Sequence, residues 1–459
     1  MLWRSAIGFV LAFVATALLI PALKPAAFRW GLVDQPGGRK QHAIPTPLTG
    51  GLAMVLGAGA VIWLPSLALG VQNELIGFGL AVILLLVIGI LDDRFDVPWP
   101  TRIAVEAMAA LSIAVIGGVR IEQIGPIFGL APLRLGGLSL PFTVFSTVGI
   151  INAVNMADGV DGLAGSLSFA AMSMLAAAAL YAGNLELALG LMVFLGAMAA
   201  FLMFNAPSPW RRHASVFMGD SGSAVLGLVI AWSCFRLTQN PLHPVSPLLA
   251  PFLIAPALID CLVLITRRLA KRRSPFSADR NHLHHLMIDA GFTPGQIVSG
   301  LTLASVVVGA AAAVAFHEGA PKPSFAIVFI LLIGAYLAFT WNRRRAVEAL
   351  SSLQRLLVQK NLEEQAPEAV HLVRTGDQQP PRIAFRPIVG DAHLGGLFSS
   401  GMDTRAGECM PSARRLILPT LDLAEGDREV MDVGSKHARS TRSSVEWDKD
   451  SRLSNEGAT

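Results

Sequence analysis

Long apolar runs alternate with short polar breaks as far as Trp341, and there the pattern stops. An α-helix needs about 20 predominantly apolar residues to cross the hydrocarbon core of a bilayer. Such runs lie near 3–23, 49–70, 75–91, 102–118, 141–154, 163–182, 185–204, 221–240, 247–265, 297–316 and 324–341, which predicts eleven membrane helices, with 141–154 the shortest. The first run carries Arg4 in the manner of a signal peptide, but it is long and nothing downstream reads as a secreted domain, so it is predicted as a helix. Past Trp341, residues 343–365 can form an amphipathic helix with Val347, Leu350, Leu353, Leu356 and Leu357 on one face. The rest, through Thr459, has sparse apolar residues and is predicted to be largely disordered.

Of the 459 residues 53% are hydrophobic and 15% charged, whereas a soluble globule is about a quarter charged. The expected class is an all-α polytopic membrane protein, with a membrane domain over 1–341 and a polar tail over 342–459. Cys234, Cys261 and Cys409 show no CxxC spacing, so neither a disulfide framework nor a zinc site is suggested. The formal charge of +4 gains meaning only when mapped. Counting loops in order, the odd ones hold Lys24, Arg29, Arg39 and Lys40, then Arg94, Arg211 and Arg212, the 267–273 run with Arg280, and Arg343–Arg345. The even loops hold little beyond Arg120, Arg134, Arg236 and Lys322. The positive-inside rule then places the odd loops and the C-terminus in the cytoplasm and the N-terminus outside. The 267–273 run itself reads as a solvated basic face.

Against this apolar background Asn152–Gly165 stands out, with Asn155, Asp158 and Asp161 between two candidate spans. An Asp at mid-membrane depth costs roughly 2.5–3.5 kcal/mol, so such a residue usually faces a partner, a cavity or an ion. The polar segments Asp34–Gly51, Asp92–Asp96, Asn155–Asp161, Asn205–Asp220 and Asp279–His285 all fall in the odd loops or at adjoining helix ends. One composite site on the cytoplasmic face is the economical reading.

Asp92 and Asp93 close the apolar run from Leu80. As neighbours they repel unless a cation or proton lies between them, although helix-end acids beside an arginine are also commonplace. Asn155, Asp158 and Asp161 recur every third residue, so on a helix they would drift slowly round one face. A plain turn is the alternative, since Asn, Asp and Gly are ordinary turn residues. Asp220 opens an apolar helix and could be no more than its N-cap, with Phe217 as a hydrophobic staple or a surface for stacking a base. Together these oxygen donors suit Mg²⁺ or Mn²⁺ better than zinc. In Asp279–His285, Arg280, His282, His284 and His285 can grip phosphate oxygens; a histidine pair could instead bind zinc, or the loop could simply be solvated. Arg39, Lys40 and His42 lie in a Gly- and Pro-rich loop that could face phosphate but has no Walker pattern.

The segments DQPGGRKQH with PLTGG, GILDDRFD, NAVNMADGVDGLAG, VFMGDSGS and DRNHLHHL, spread over residues 30–295, resemble the polyprenyl-phosphate N-acetylhexosamine-1-phosphate transferase family (glycosyltransferase family 4) in kind and order. The RKQH and HLHH forms are similar to its WecA and TagO branch. MraY enzymes carry KxGTPTMGG and three consecutive histidines, where this chain has Ala43–Gly51 and His282-Leu283-His284-His285. Phospho-MurNAc-pentapeptide transfer is therefore the secondary alternative. The resemblance implies that a lipid phosphate attacks the β-phosphorus of a UDP-sugar, most simply UDP-GlcNAc, to release UMP and begin a cell-surface polysaccharide such as O-antigen, teichoic acid or exopolysaccharide.

It implies Mg²⁺, or Mn²⁺, held by Asp220 and Asn155. Asp92 and Asp93 would lie beside the reacting phosphates, with Asp92 as base or lipid-phosphate positioner, and Asp158, Asp161, His282 and His284 would join them in catalysis. Arg39, Lys40, His42, Asp96, Asn155, Asn205, Phe217, Arg280 and His285 would bind substrate, Phe217 by stacking on uracil. Asn205 is the weaker match, because Ser208–His213 lengthens its spacing to Asp220. The implied setting is a bacterial cytoplasmic membrane, with the bilayer and both substrates as partners and no nucleic acid; a homodimer is left open. Three rivals are weighed. An intramembrane aspartyl protease needs Gly where Phe217 stands, and a CDP-alcohol phosphotransferase needs an arginine that Asp161–Gly165 lacks. A cation-coupled transporter often shows two related halves, and none are evident.

Overall fold

The computed structural model describes residues 2–35, 44–69, 72–127, 129, 131–208, 211, 213–240, 245–275 and 280–374. A first helix, α1 (Leu2–Trp30), leads into a two-stranded hairpin, β1 (Val33–Asp34) and β2 (Thr46–Pro47), paired Val33 to Pro47 and Asp34 to Thr46. Then come α2 (Gly50–Leu69), α3 (Asn73–Phe95), α4 (Trp99–Leu111, continued by a π-helical turn Ser112–Ile116), α5 (Ser139–Ala157), α6 (Leu163–Tyr181), α7 (Leu185–Asn205) and α8 (Gly219–Thr238). The last part holds α9 (Ala250–Leu253), α10 (Ala255–Ala270), α11 (Leu283–Asp289), α12 (Pro294–His317), α13 (Lys322–Trp341) and α14 (Arg343–Arg374).

Each apolar run singled out in the sequence is helical over most of its length, which makes the chain an all-α, multi-pass membrane protein. Among the described residues nine helices are long and apolar enough to span; the stretch Gly50–Leu64 of α2 and the 16-residue α10 are shorter. The expected span 247–265 is broken at Ile254, because Pro256 has no N–H and its ring blocks the carbonyl four residues back.

The apolar stretch of α8 is 89% buried against 11% for α13, so α8 is the axis of the bundle and α13 lies at its rim. Around α8 pack α2, α3, α5 and α6. Small residues permit this: a Cβ at Gly51, Gly89 or Gly227 would overlap the backbone of Gly222, Ser221 or Ile151 respectively. Close approach of this kind supplies the dispersion that holds helices together in lipid.

Two units divide the chain, Met1–Asp377 and Gln378–Thr459, and the second lies outside the described residues. The amphipathic helix expected over 343–365 continues to Arg374, and α14 packs on α11 and α13. The basic run is a solvated face only in part: Lys271, Arg272 and Arg273 are exposed as expected, and the first two arginines are not. Arg267 and Arg268 are only 3% and 5% exposed: Arg267 donates to the carbonyl and hydroxyl of Thr340 (2.6 Å each) and Arg268 to the Pro275 carbonyl. These two guanidiniums bond to backbone carbonyls instead of joining that solvated face.

Candidate active site

The C-terminal ends of α3, α5 and α7 meet the N-terminal end of α8. Asp92 and Asp93 are adjacent on α3, and consecutive helical residues point about 100° apart. Each therefore finds its own partner. Asp92 accepts from Arg102 Nη1 at 2.6 Å and from the Val97 amide at 2.8 Å, with its side chain only 3% exposed. Asp93 Oδ1 accepts from the Asp220 amide at 2.9 Å and so caps α8 from across the bundle, while Oδ2 has no hydrogen-bond donor among the described residues.

Asp220 is not the N-cap. It sits in the first turn of α8, behind Met218, which supplies no side-chain cap. This frees its carboxyl for the site: Oδ1 accepts from Asn155 Nδ2 at 2.6 Å and Oδ2 lies 3.9 Å from Arg102 Nη1. Asn155 also reaches Ser223 Oγ at 3.0 Å. A cavity of about 10 Å³, the size of one water position, lies among Asp92, Arg102, Glu106, Asn155 and Asp220.

The every-third spacing of Asn155, Asp158 and Asp161 does not put them on one helical face. After Ala157 the chain leaves the helix, and Gly162 at φ 81° turns it into α6. Asp158 is exposed in this turn, and Asp161 Oδ2 accepts from the Ala214 amide at 3.1 Å. Asn205 braces the turn. Its Oδ1 accepts from the Gly162 amide (2.8 Å) and its Nδ2 donates to the Val216 carbonyl (2.9 Å), so both ends of the carboxamide hold backbone, across the 208–213 insert.

Phe217 is half-buried, and its amide donates to the Pro47 carbonyl at 2.8 Å while its carbonyl accepts from Gly50 at 2.9 Å. The hairpin end is thereby tied to the start of α8. Arg39, Lys40 and His42, which follow β1, lie outside the described residues. Asp96 ends α3 in the left-handed conformation (φ 54°) and, like Arg280, is exposed.

His282 Nδ1 lies 2.9 Å from Asp260 Oδ2, and the His282 ring stacks on His284 with centroids 5.2 Å apart. His284 in turn abuts Gly159, where a Cβ would strike its ring, so the histidine segment and the Asp158–Gly162 turn are in contact. Burial, reinforced by His285 and His282 and opposed by Asp260, pushes the His284 imidazole down to about 3. His285 is lowered too, by burial first and then by His282 and Arg280, and its Nδ1 has no hydrogen-bond partner among the described residues.

Sequence reasoning missed Arg102, Glu106 and Asp260. Glu106 is 5% exposed and accepts from Asn152 Nδ2 at 2.5 Å. The available signal was an Arg and a Glu one helical turn apart inside an apolar run, and a lone Asp in another; ionisable residues in a span mark functional sites by default. As to a metal, no group of three or more His, Cys, Asp or Glu among the described residues is placed to hold one. The donor chemistry nevertheless suits a hard cation: Asp220, Asn155 and Asp93 Oδ2 offer oxygen donors, and Mg²⁺ ordinarily keeps several waters and substrate phosphates in its shell.

The architecture is that of a multi-pass membrane protein with a carboxyl-rich site built from helix ends. The family described as glycosyl transferase family 4 matches residues 75–238. Proteins named undecaprenyl-phosphate alpha-N-acetylglucosaminyl 1-phosphate transferase align over most of their length. That of Escherichia coli (strain K12) is 33% identical over 340 residues, covering 73% of this chain and 92% of its own. That of Haemophilus influenzae is 35% identical over 353 residues, covering 74% and 97%. The Salmonella typhimurium protein is 34% identical over 348 residues, covering 73% and 92%. The chain belongs to glycosyl transferase family 4 and is a membrane-embedded transferase.

Proposed function

We propose that the protein transfers GlcNAc-1-phosphate from UDP-GlcNAc to undecaprenyl phosphate or a similar polyprenyl phosphate, as the initiating step of a cell-surface polysaccharide. The observation that carries this is the convergence of Asp92, Asp93, Asn155 and Asp220 at one end of the bundle, in a chain whose relatives are named for this transfer. An oxygen of the lipid phosphate bonds to the β-phosphorus of the nucleotide sugar. The bond from that phosphorus to the α–β bridging oxygen breaks, and UMP leaves with the electron pair. The C1–O bond of the sugar is untouched, so the anomeric configuration is retained. A phosphomonoester's second pKa is near 6, so the nucleophile is already mostly dianionic and deprotonation is a small part of the barrier.

The larger barrier is bringing two polyanions together beside a cluster of carboxyls. Arg102 holds Asp92 in place, Asp93 fixes the start of α8, and Asn155 orients Asp220. Asp220 and Asn155 would hold Mg²⁺ or Mn²⁺, which supplies charge neutralisation at the phosphates. Asp158, Asp161, His282 and His284, and the substrate contacts expected of Arg39, Lys40, His42, Asp96, Asn205, Phe217, Arg280 and His285, belong to the same proposal. The basic loop bias and the cytosolic origin of UDP-sugars favour a cytoplasmic membrane with the site facing inward.

Purified protein with undecaprenyl phosphate, Mg²⁺ and radiolabelled UDP-GlcNAc is expected to release UMP and form a lipid-linked sugar. Asp220→Asn should abolish turnover without unfolding the protein. Absence of UMP release with a broad panel of UDP-N-acetylhexosamines sinks the proposal, and transfer from UDP-MurNAc-pentapeptide alone selects the MraY-type reaction.

A further inference from the structure

Asp260 is a lone carboxyl in α10, and three donors from two different segments converge on it. His282 Nδ1 approaches Oδ2 at 2.9 Å, the Leu283 amide donates to Oδ1 at 3.2 Å, and the Tyr336 hydroxyl of α13 donates to Oδ1 as well. The side chains of Asp260 and His282 are only 16% and 9% exposed, so these bonds are largely shielded from water. A pairing that merely tied α10 to α11 would be satisfied by the Leu283 amide. The additional bond to the imidazole does something else: a carboxylate only accepts, so Nδ1 must carry the proton and Nε2 is left as the ring's other working nitrogen.

The contacts continue from there toward the acids. The His282 ring lies nearly parallel to that of His284, with centroids 5.2 Å apart and planes 19° apart, and His284 presses on Gly159. Asp260 therefore stands at one end of a packed series that runs through two histidines into the Asp158–Gly162 turn.

We infer that Asp260, steadied by Tyr336, is a positioning residue of the transferase: it fixes the tautomer and orientation of His282, so that Nε2 is presented to the phosphoryl groups. This rests on the function proposed above, in which His282 acts on those phosphates. Outer partners that orient metal-ligating side chains typically change affinity or activity about 10–100-fold when removed, and a loss of that order is expected for an imidazole held in the same way.

The test compares wild type, Asp260→Asn, Tyr336→Phe, His282→Ala and the double variant Asp260→Asn/His282→Ala in the full-length protein. UMP release from UDP-GlcNAc and undecaprenyl phosphate gives kcat and KM, and the apparent melting temperature in detergent reports folding. The expected result is an Asp260→Asn protein that melts like wild type, with kcat lower by about 10–100-fold and the KM for UDP-GlcNAc little changed. In the His282→Ala background the same change should add nothing, since Asp260 acts through that ring. Wild-type kcat in Asp260→Asn, or a full additional loss in the double variant, overturns the inference. If Asp260→Asn melts early, Tyr336→Phe decides: a lower kcat at unchanged KM supports it, and wild-type kcat overturns it. An inactive wild type would instead refute the proposed function, so the two failures are distinguishable.

Discussion

Replacing Gly219 by alanine tests how the start of α8 organises the site. Gly219 has φ 75°, a left-handed conformation that costs a residue with a Cβ roughly 1–2 kcal/mol. A Cβ there would also sit 2.6 Å from Asp93 Oδ2 and 3.2 Å from its Cγ. The carboxyl must move, and the 2.9 Å bond by which it caps the Asp220 amide is lost or lengthened. Losing a helix cap costs about 0.5–2 kcal/mol, so the total is roughly 1.5–4 kcal/mol. Displacing a group at a reacting centre by about 1 Å can cost a hundredfold in rate, so turnover should fall further than stability alone explains. The assay pairs apparent melting temperature with UMP release. Gly190→Ala is the control, because an added methyl there meets nothing within 4 Å. It should be neutral or stabilising by up to about 1 kcal/mol. In an Asp93→Ala background the clash disappears, and Gly219→Ala should then cost only the backbone strain of about 1–2 kcal/mol. Wild-type melting and turnover in the single variant would refute the argument, as would equal effects in the two backgrounds.

Arg102→Met leaves the Asp92 carboxyl buried without its cation, and about 3–5 kcal/mol of stability should go with it; denaturation in detergent that matches wild type would contradict this. Asn205→Ala strands the Gly162 amide and the Val216 carbonyl, at about 1–3 kcal/mol for each group left unpaired. Asn205→Asp keeps the acceptor for Gly162 but sets a second acceptor against the Val216 carbonyl, so it should also destabilise, and wild-type melting of Asn205→Ala would show that the brace is unimportant. For His284, an unfolded imidazole takes its proton near pH 6.5, whereas the folded one, held down by burial, does so only near 3. The unfolded chain thus binds more protons between those values, so this contribution is intact above about pH 6.5 and is lost as pH falls toward 3, by about 1.4 kcal/mol per unit. Wild type should therefore lose melting temperature faster than His284→Asn between pH 7 and 5.5, and parallel curves would count against it.

What the sequence made legible was cost. Long apolar runs are helices because lipid leaves backbone groups no other partner, and Asp92, Asp93, Asp158, Asp161 and Asp220 stood out because an acid near lipid needs a reason. What it hid was pairing. Asp93 meets the Asp220 amide across 127 positions and Asn155 meets Asp220 across 65, and no local periodicity encodes such distances. The even spacing of Asn155, Asp158 and Asp161 was misleading for the same reason: the helix ends at Ala157, and tertiary bonds from Asn205 and to Asp161 set the path beyond it. Arg267 and Arg268 looked solvated because their acceptors, the Thr340 and Pro275 carbonyls, are backbone groups that composition cannot reveal.

The charge balance of the site carries a last consequence. The C-terminal ends of α3, α5 and α7 present partial negative charge there, and the starts of α2, α4, α6 and α8 offset part of it. Asp92, Asp93, Asp220 and Glu106 gather there, and among the described residues Arg102 is the guanidinium paired with them. A nucleotide diphosphate entering such a field is repelled before any chemistry begins. The proposed divalent cation should accordingly govern binding as well as turnover. Calorimetric titration of UDP-GlcNAc into purified protein is expected to show weaker affinity after EDTA treatment, with recovery on adding Mg²⁺. Affinity indifferent to EDTA would mean that the basic segments alone offset the repulsion, and that the cation acts only in the transfer step.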